Sequence, residues 1–319
     1  MLKFINKRIA FQWIILVGLF SLALFKIFSQ SQIINVDGNM FLFKSFASFF
    51  SQHLLFGKIV LSFLLVFQII LLQLFYSKND LSSKFSLLPA CFFLIGMLIT
   101  KSLTDISPSF FTTLFLLVNV SIEQEVSSDK LKRNIFWMGV TIAIATAFDQ
   151  NSIVLVFLAM TTLFINQFSK FKEIAILFFG FILVYIYISS YYFLTNQLYV
   201  WIEHFSEIKI MKIIDKNLFS NPFHIVSVLV ISILYIYFII RIKLIGDTKV
   251  VVQRKRIFTL NIWALLLLFC FFLSNSSLTK GFNYLLVPIS IYLAFFSKEK
   301  NPFFINEIVT IVIFIALCI

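Results

Sequence analysis

The chain has 319 residues, 61% of them hydrophobic and only 13% charged, with a net charge of +12 and a mean hydropathy of +1.00. Water-soluble domains carry about 45–50% apolar and about 25% charged residues, and a soluble fold could not hide this much apolar surface. Lipid is therefore the solvent for most of the chain, and the positive charge marks topology and attraction to anionic lipid, not nucleic-acid binding.

In chain order, the basic start from Met1 to Arg8 leads into an apolar run. The nearby small-x-small match, Ser21-Leu22-Ala23, lies inside that run, so the segment reads as an uncleaved first span. Segments near 10–29, 57–76, 86–101, 107–122, 134–149, 151–168, 173–194, 223–242, 257–274, 281–296 and 302–319 are apolar enough to cross a bilayer, about eleven spans in all. The fold class they imply is all-α: a polytopic transmembrane helix bundle.

Two outer loops, 30–56 and 195–222, are long enough to hold structure. In the first, Lys44, Ser45, Ser48, Ser51 and Gln52 form one stripe on a helix otherwise made of Leu42, Phe43, Phe46, Phe49, Phe50 and Leu54. In the second, Glu203, His204, Glu207, Lys212, Asp215 and Lys216 alternate with Trp201, Phe205, Ile208 and Met211. Both patterns predict amphipathic helices lying in the interface.

Lys and Arg set the orientation. With the N-terminus in the cytoplasm, most of the 26 basic residues and every arginine (Arg8, Arg133, Arg241, Arg254, Arg256) fall on the inner side. The outer set is Lys26, Lys44, Lys58, Lys101, Lys209, Lys212, Lys216 and Lys280. This asymmetry predicts an inner-membrane protein with a cytoplasmic N-terminus and a periplasmic C-terminus. Cys91, Cys270 and Cys318 each sit in an apolar run and read as small buried hydrophobes, with no disulfide or zinc spacing. Gln68, Gln73, Asn119 and Asn261, inside spans, are expected to hydrogen-bond between helices.

Asp37, Asp105, Asp149, Glu203, Glu207 and Asp215 fall on the outer side, so a general base acting there would come from these six. The histidines His53, His204 and His224 also fall outside. Asp37 precedes a glycine, which also suits an ordinary turn, and Asp105 could equally N-cap a helix starting near Ser107-Pro108.

A first span, an outer loop opening on an acidic residue, an interfacial helix and a second structured outer loop after the seventh span together resemble the GT-C superfamily of glycosyltransferases. Val36-Asp37-Gly38-Asn39-Met40-Phe41 is similar to their acidic pair followed by an aromatic. Leu103-Thr104-Asp105-Ile106-Ser107-Pro108 resembles their turn between the third and fourth spans, and Gly139 to Asn151 their small-residue span ending in a polar turn. The resemblance covers about the first 220 residues, and it implies a seven-span module at 1–222 followed by a four-span segment at 223–319. The chain also resembles an uncharacterised Bacteroidota membrane-protein family with a Lys/Arg-flanked first span and Phe- and small-residue-rich middle spans.

The GT-C resemblance implies transfer of a sugar from a polyprenyl-phosphate carrier on the outer face. Asp37 would be the general base and Asp105 would support the acceptor or a metal, with Lys44, Lys101, Lys212 and His204 contacting the carrier phosphate. Gly38 replaces the second carboxylate, which leaves a divalent metal unsupported, and Asp149-Gln150-Asn151 replaces a common basic residue, which removes a phosphate partner; no cofactor is identified. These departures suit the alternative of a non-catalytic membrane subunit or scaffold bound to lipid and to other membrane or envelope proteins. A transporter would call for more charge inside the spans.

Overall fold

The computed structural model describes residues 9–29, 40–78, 86–99, 108–124, 130–166, 171–199, 202, 232–233, 235–240, 251–273 and 278–296. Among them there is helix and no strand. In chain order the helices are α1 (Ile9–Ser29), α2 (Phe41–Gln52), α3 (Leu54–Lys78), α4 (Leu88–Ile99), α5 (Pro108–Gln124), α6 (Leu131–Phe148), α7 (Val154–Ile165), α8 (Phe171–Leu194), α9 (Val251–Leu273) and α10 (Leu278–Phe296). A short 3-10 turn, Gln150–Ile153, joins α6 to α7, and 235–240 are helical.

Burial sorts the helices into centre and periphery. In α4, residues 88, 90–94 and 97 are buried on every side, and in α10 so is the whole run 282–295. Helices apolar all round need neighbours all round. Accordingly α10 packs on α4, α5 and α9, while α3 and α1 flank α4. Three helices are long and apolar enough to cross a membrane, Ile9–Ser29, Leu54–Ser77 and Phe171–Leu194, and they expose most of their length. Trp13, Val17 and Phe25 on α1, Phe63 and Ile70 on α3, and Phe179, Ile182 and Ile186 on α8 are bare. Exposed apolar side chains along helices long enough to span are the kind of surface a membrane protein turns to lipid. The other apolar helices are shorter: spans expected near 86–101 and 151–168 appear as Leu88–Leu98 and Gln150–Ile165. The spans expected at 223–242 and 302–319 lie wholly or largely outside the described residues.

Polar side chains fasten the helices where apolar packing alone would leave the register loose. Of the four amides expected to bridge helices, Gln68, Asn119 and Asn261 do so, and Gln73 reaches the segment just ahead of α4. Gln68 Nε2 donates to the Phe110 carbonyl at 3.1 Å and to Thr113 Oγ1 at 3.3 Å, and Gln73 Nε2 donates to the Ser86 carbonyl at 2.7 Å. Asn119 Oδ1 accepts from Thr141 at 2.9 Å, and Asn261 Oδ1 accepts from the Tyr292 hydroxyl at 2.9 Å. Gln12 does the same between α1 and α4, its Oε1 accepting the Leu87 N–H at 2.8 Å. That N–H opens a helix and has no intrahelical acceptor, so Gln12 stands in for an N-cap. Gln12→Leu keeps the apolar surface and strands the donor. It should lower stability by about 1–2 kcal/mol, read as a drop in the thermal midpoint of the purified protein in detergent.

Gly139 and Gly180 let α6 and α8 approach closely. A Cβ at Gly139 would lie 2.1 Å from the Leu177 carbonyl oxygen, and one at Gly180 would lie 2.4 Å from that of Phe136. The two helices therefore touch backbone to backbone, the arrangement small residues permit within membranes. Thr146 and Tyr185 add a hydroxyl–hydroxyl bond of 2.8 Å further along the same seam.

Candidate functional site

Asp149 lies at the junction of two helices. Its N–H donates to the Ala145 carbonyl and closes α6, while its Oδ1 accepts the Asn151 N–H at 3.1 Å and opens the 3-10 turn. A carboxylate so placed serves as a side-chain cap for the turn. The other oxygen, Oδ2, points into the bundle, where Thr112 Oγ1 of α5 donates at 2.5 Å and the Tyr284 hydroxyl of α10 donates at 2.6 Å.

The proton directions follow from these bonds. Thr112 has one hydroxyl hydrogen, committed to Asp149, so in its 2.7 Å contact with Ser152 the serine is the donor. Asn151 Nδ2 donates to the Tyr284 oxygen at 3.3 Å. Ser152 thus feeds Thr112, Asn151 feeds Tyr284, and both lines end on one carboxyl oxygen. Every member except Asn151 is buried, Ser152 completely. One turn earlier in α5, Ser109 Oγ accepts from Asn283 Nδ2 at 3.1 Å. The opening of α5 is a polar hub: Ser109 reaches α10, Thr112 reaches Asp149, and Thr113 reaches α3.

An aromatic wedge covers this hub. Phe46 of α2 meets Phe111 at 5.0 Å and Phe148 at 5.9 Å, Phe43 meets Phe111 at 6.1 Å, and Phe111 stacks on Phe148 at 4.4 Å. Phe111 precedes Thr112 and Phe148 precedes Asp149, so α2 rests against the residues adjoining the bonded Thr112 and Asp149. The amphipathic helix expected around 42–54 is present as α2, and Phe43, Ala47 and Phe50 are buried while Ser45, Ser48 and Ser51 face outward. Its apolar face is spent on the bundle. Ser48 and Ser51 donate to carbonyls three residues back, which satisfies hydroxyls on an exposed face.

Of the residues singled out from sequence, Lys44 is half-buried on α2. Asp37, Asp105, Lys101, Lys212 and His204 lie outside the described residues, as do most of the second outer loop and its expected helix. Two other lysines of the outer set are placed. Lys26 Nζ donates to the Leu98 carbonyl at 3.2 Å, in the last turn of α4, and Lys58 Nζ donates to the Phe28 carbonyl at 2.9 Å, in the last turn of α1. A cation on terminal carbonyls is favoured by hydrogen bonding and by the helix dipole. No group of three His, Cys, Asp or Glu residues suited to a metal occurs among the described residues. The gap lined by Phe75, Trp263, Pro288 and their neighbours is apolar and about 10 Å³, room for one water at most.

Among the described residues the fold is all helix, with three helices long and apolar enough to cross a membrane and a buried carboxyl-centred hub. No family model, curated protein or solved structure matches the chain.

Proposed function

We propose that this chain is a multi-pass inner-membrane protein working at its outer face, and that its activity is GT-C-like transfer from a polyprenyl-phosphate-linked sugar. The observation that supports this reading is the meeting of α2 and α5 at their starts. Asp37 lies three residues before Met40 and Asp105 three residues before Pro108, and the helices that begin there touch through Phe43 and Phe111. The helices that follow these two carboxylates in the sequence thus start against one another. The N-termini of these two helices would favour the charge of a carrier phosphate.

A non-catalytic subunit is the second reading, and a specific observation favours it: three charged groups, Asp149, Lys26 and Lys58, are engaged in structure. Asp149 accepts three hydrogen bonds, and Lys26 and Lys58 hold helix ends. Membranes containing the wild-type chain, Asp37→Asn or Asp105→Asn, supplied with a radiolabelled polyprenyl-phosphate sugar, separate the two. The transferase reading expects Asp37→Asn to lose activity by about 100-fold or more at unchanged abundance, the loss expected for a removed general base. Wild-type transfer at the level of membranes lacking the protein, with a stoichiometric partner retained in gentle detergent, establishes the subunit.

A further inference from the structure

Helix α10 is anchored twice and interrupted once. Its first half is held by Asn283 to Ser109 and by Tyr284 to Asp149, and its second half by Tyr292 to Asn261 of α9. Between the anchors lies Pro288, a proline inside the helix. Proline has no N–H to donate and its ring crowds the preceding turn, so one rung of the helical ladder is missing there. The interhelical gap opens at the same place, lined by Val287, Pro288 and Ile291. Its walls are apolar, so no polar contact braces the helix at the proline itself, and the polar pairs that release must break are the two made by Asn283 and Tyr284.

We infer that the first half of α10 is a latch over Asp149, hinged at Pro288, and that its release exposes the Asp149 carboxyl. The arrangement left behind is self-consistent. When Tyr284 departs, Asp149 keeps the Thr112 hydroxyl on Oδ2 and the Asn151 N–H on Oδ1, and Ser152 still donates to Thr112. The carboxyl gains an open side without losing its cradle. Phe282, Leu285 and Leu286 are buried in the closed form, and Leu286 fits over Gly96, where a Cβ would lie 2.3 Å from its Cδ2. The open form is therefore a minor state, and its signature is slow, rare exposure of one carboxyl.

A membrane-permeant carbodiimide, dicyclohexylcarbodiimide, reports that exposure in intact membranes through the mass of the Asp149 peptide. The full chain with Cys91, Cys270 and Cys318 changed to alanine carries Ser109→Cys and Asn283→Cys, which oxidation links across the latch. The latch predicts labelling of Asp149 in the reduced protein, at least a tenfold drop on oxidation and recovery with dithiothreitol. In the otherwise native chain Tyr284→Phe should label about tenfold faster, the factor expected for one lost hydrogen bond to the carboxyl, and Pro288→Ala should label more slowly. Equal labelling of the oxidised and reduced forms, no labelling of Asp149 in either, or an unchanged rate in Tyr284→Phe each overturns the latch and leaves Asp149 a fixed strut.

Discussion

Gly139→Ala should detach α8 from the bundle, although the change adds a single methyl group. The added carbon would stand 2.1 Å from the Leu177 carbonyl oxygen and 3.1 Å from both the Leu177 carbonyl carbon and the Phe181 nitrogen. These are backbone atoms of a helix, so no rotamer change relieves the clash, and the two axes must part by roughly 1 Å or more. Parting them breaks the reciprocal contact of Gly180 with Phe136 and lengthens the Thr146–Tyr185 bond. The α6 seam is the principal contact of α8, whose remaining faces are largely exposed, so little else holds it. A loss of about 2–4 kcal/mol is expected, the range for overpacking at a site that cannot yield. Gly18→Ala in α1 is the matched control: nothing lies within 4 Å of its added carbon, and alanine favours a helix by up to about 1 kcal/mol. Thermal unfolding in detergent should show a lower midpoint for the first and an equal or higher one for the second. Equal midpoints for Gly139→Ala and wild type would mean that the seam is looser than the backbone contact implies.

The sequence made the helical, lipid-facing character plain because that depends on composition summed over long windows, and no single residue decides it. Helix positions followed for the same reason: the spans expected near 10–29, 57–76 and 173–194 correspond to Ile9–Ser29, Leu54–Lys78 and Phe171–Leu194. What composition does not carry is which apolar helices are central. Leu88–Ile99 and Phe171–Leu194 are both apolar, yet the first is enclosed and the second faces outward, since enclosure is set by neighbours distant in sequence.

The polar hub was legible only in halves. Asp149-Gln150-Asn151 stands out as a polar turn, and Gln68 as an amide needing a partner. Thr112 and Tyr284, the two donors to Asp149 Oδ2, lie 37 and 135 residues away from it, and a hydroxyl in an apolar run resembles any other until its partner is placed. A faint signal was available in the spacing of Ser109, Thr112 and Thr113, a polar stripe at three- and four-residue steps on the opening of an otherwise apolar helix. The lysines show the converse. Lys26 and Lys58 count toward topology in the sequence, whereas the fold uses both on helix carbonyls.

Asp149→Ala should be among the most damaging single substitutions in the chain, and it separates a structural carboxyl from a catalytic one. Removing it strands the Thr112 hydroxyl, the Tyr284 hydroxyl and the Asn151 N–H, and it leaves a void among buried groups that cannot reach water. Each stranded donor costs about 1–3 kcal/mol, and because the three share one acceptor the sum falls short of additivity, at about 3–5 kcal/mol. Asp149→Asn keeps the shape and one acceptor oxygen but turns an amide N–H₂ toward a donor, so about 1–2 kcal/mol is expected. Tyr284→Phe and Thr112→Val each remove a donor together with its need for an acceptor, and each should cost less than Asp149→Ala. Combined with Asp149→Ala, Tyr284→Phe should add little, with a coupling of about 1–3 kcal/mol between the two positions measured from unfolding midpoints in detergent. Independent, additive costs would show that the carboxyl and the tyrosine are neighbours without being partners. Asp37→Asn should leave stability unchanged if Asp37 serves chemistry alone. A stable Asp37→Asn protein without transfer activity beside an unstable Asp149→Ala protein would divide these acidic residues into those that react and those that hold the bundle.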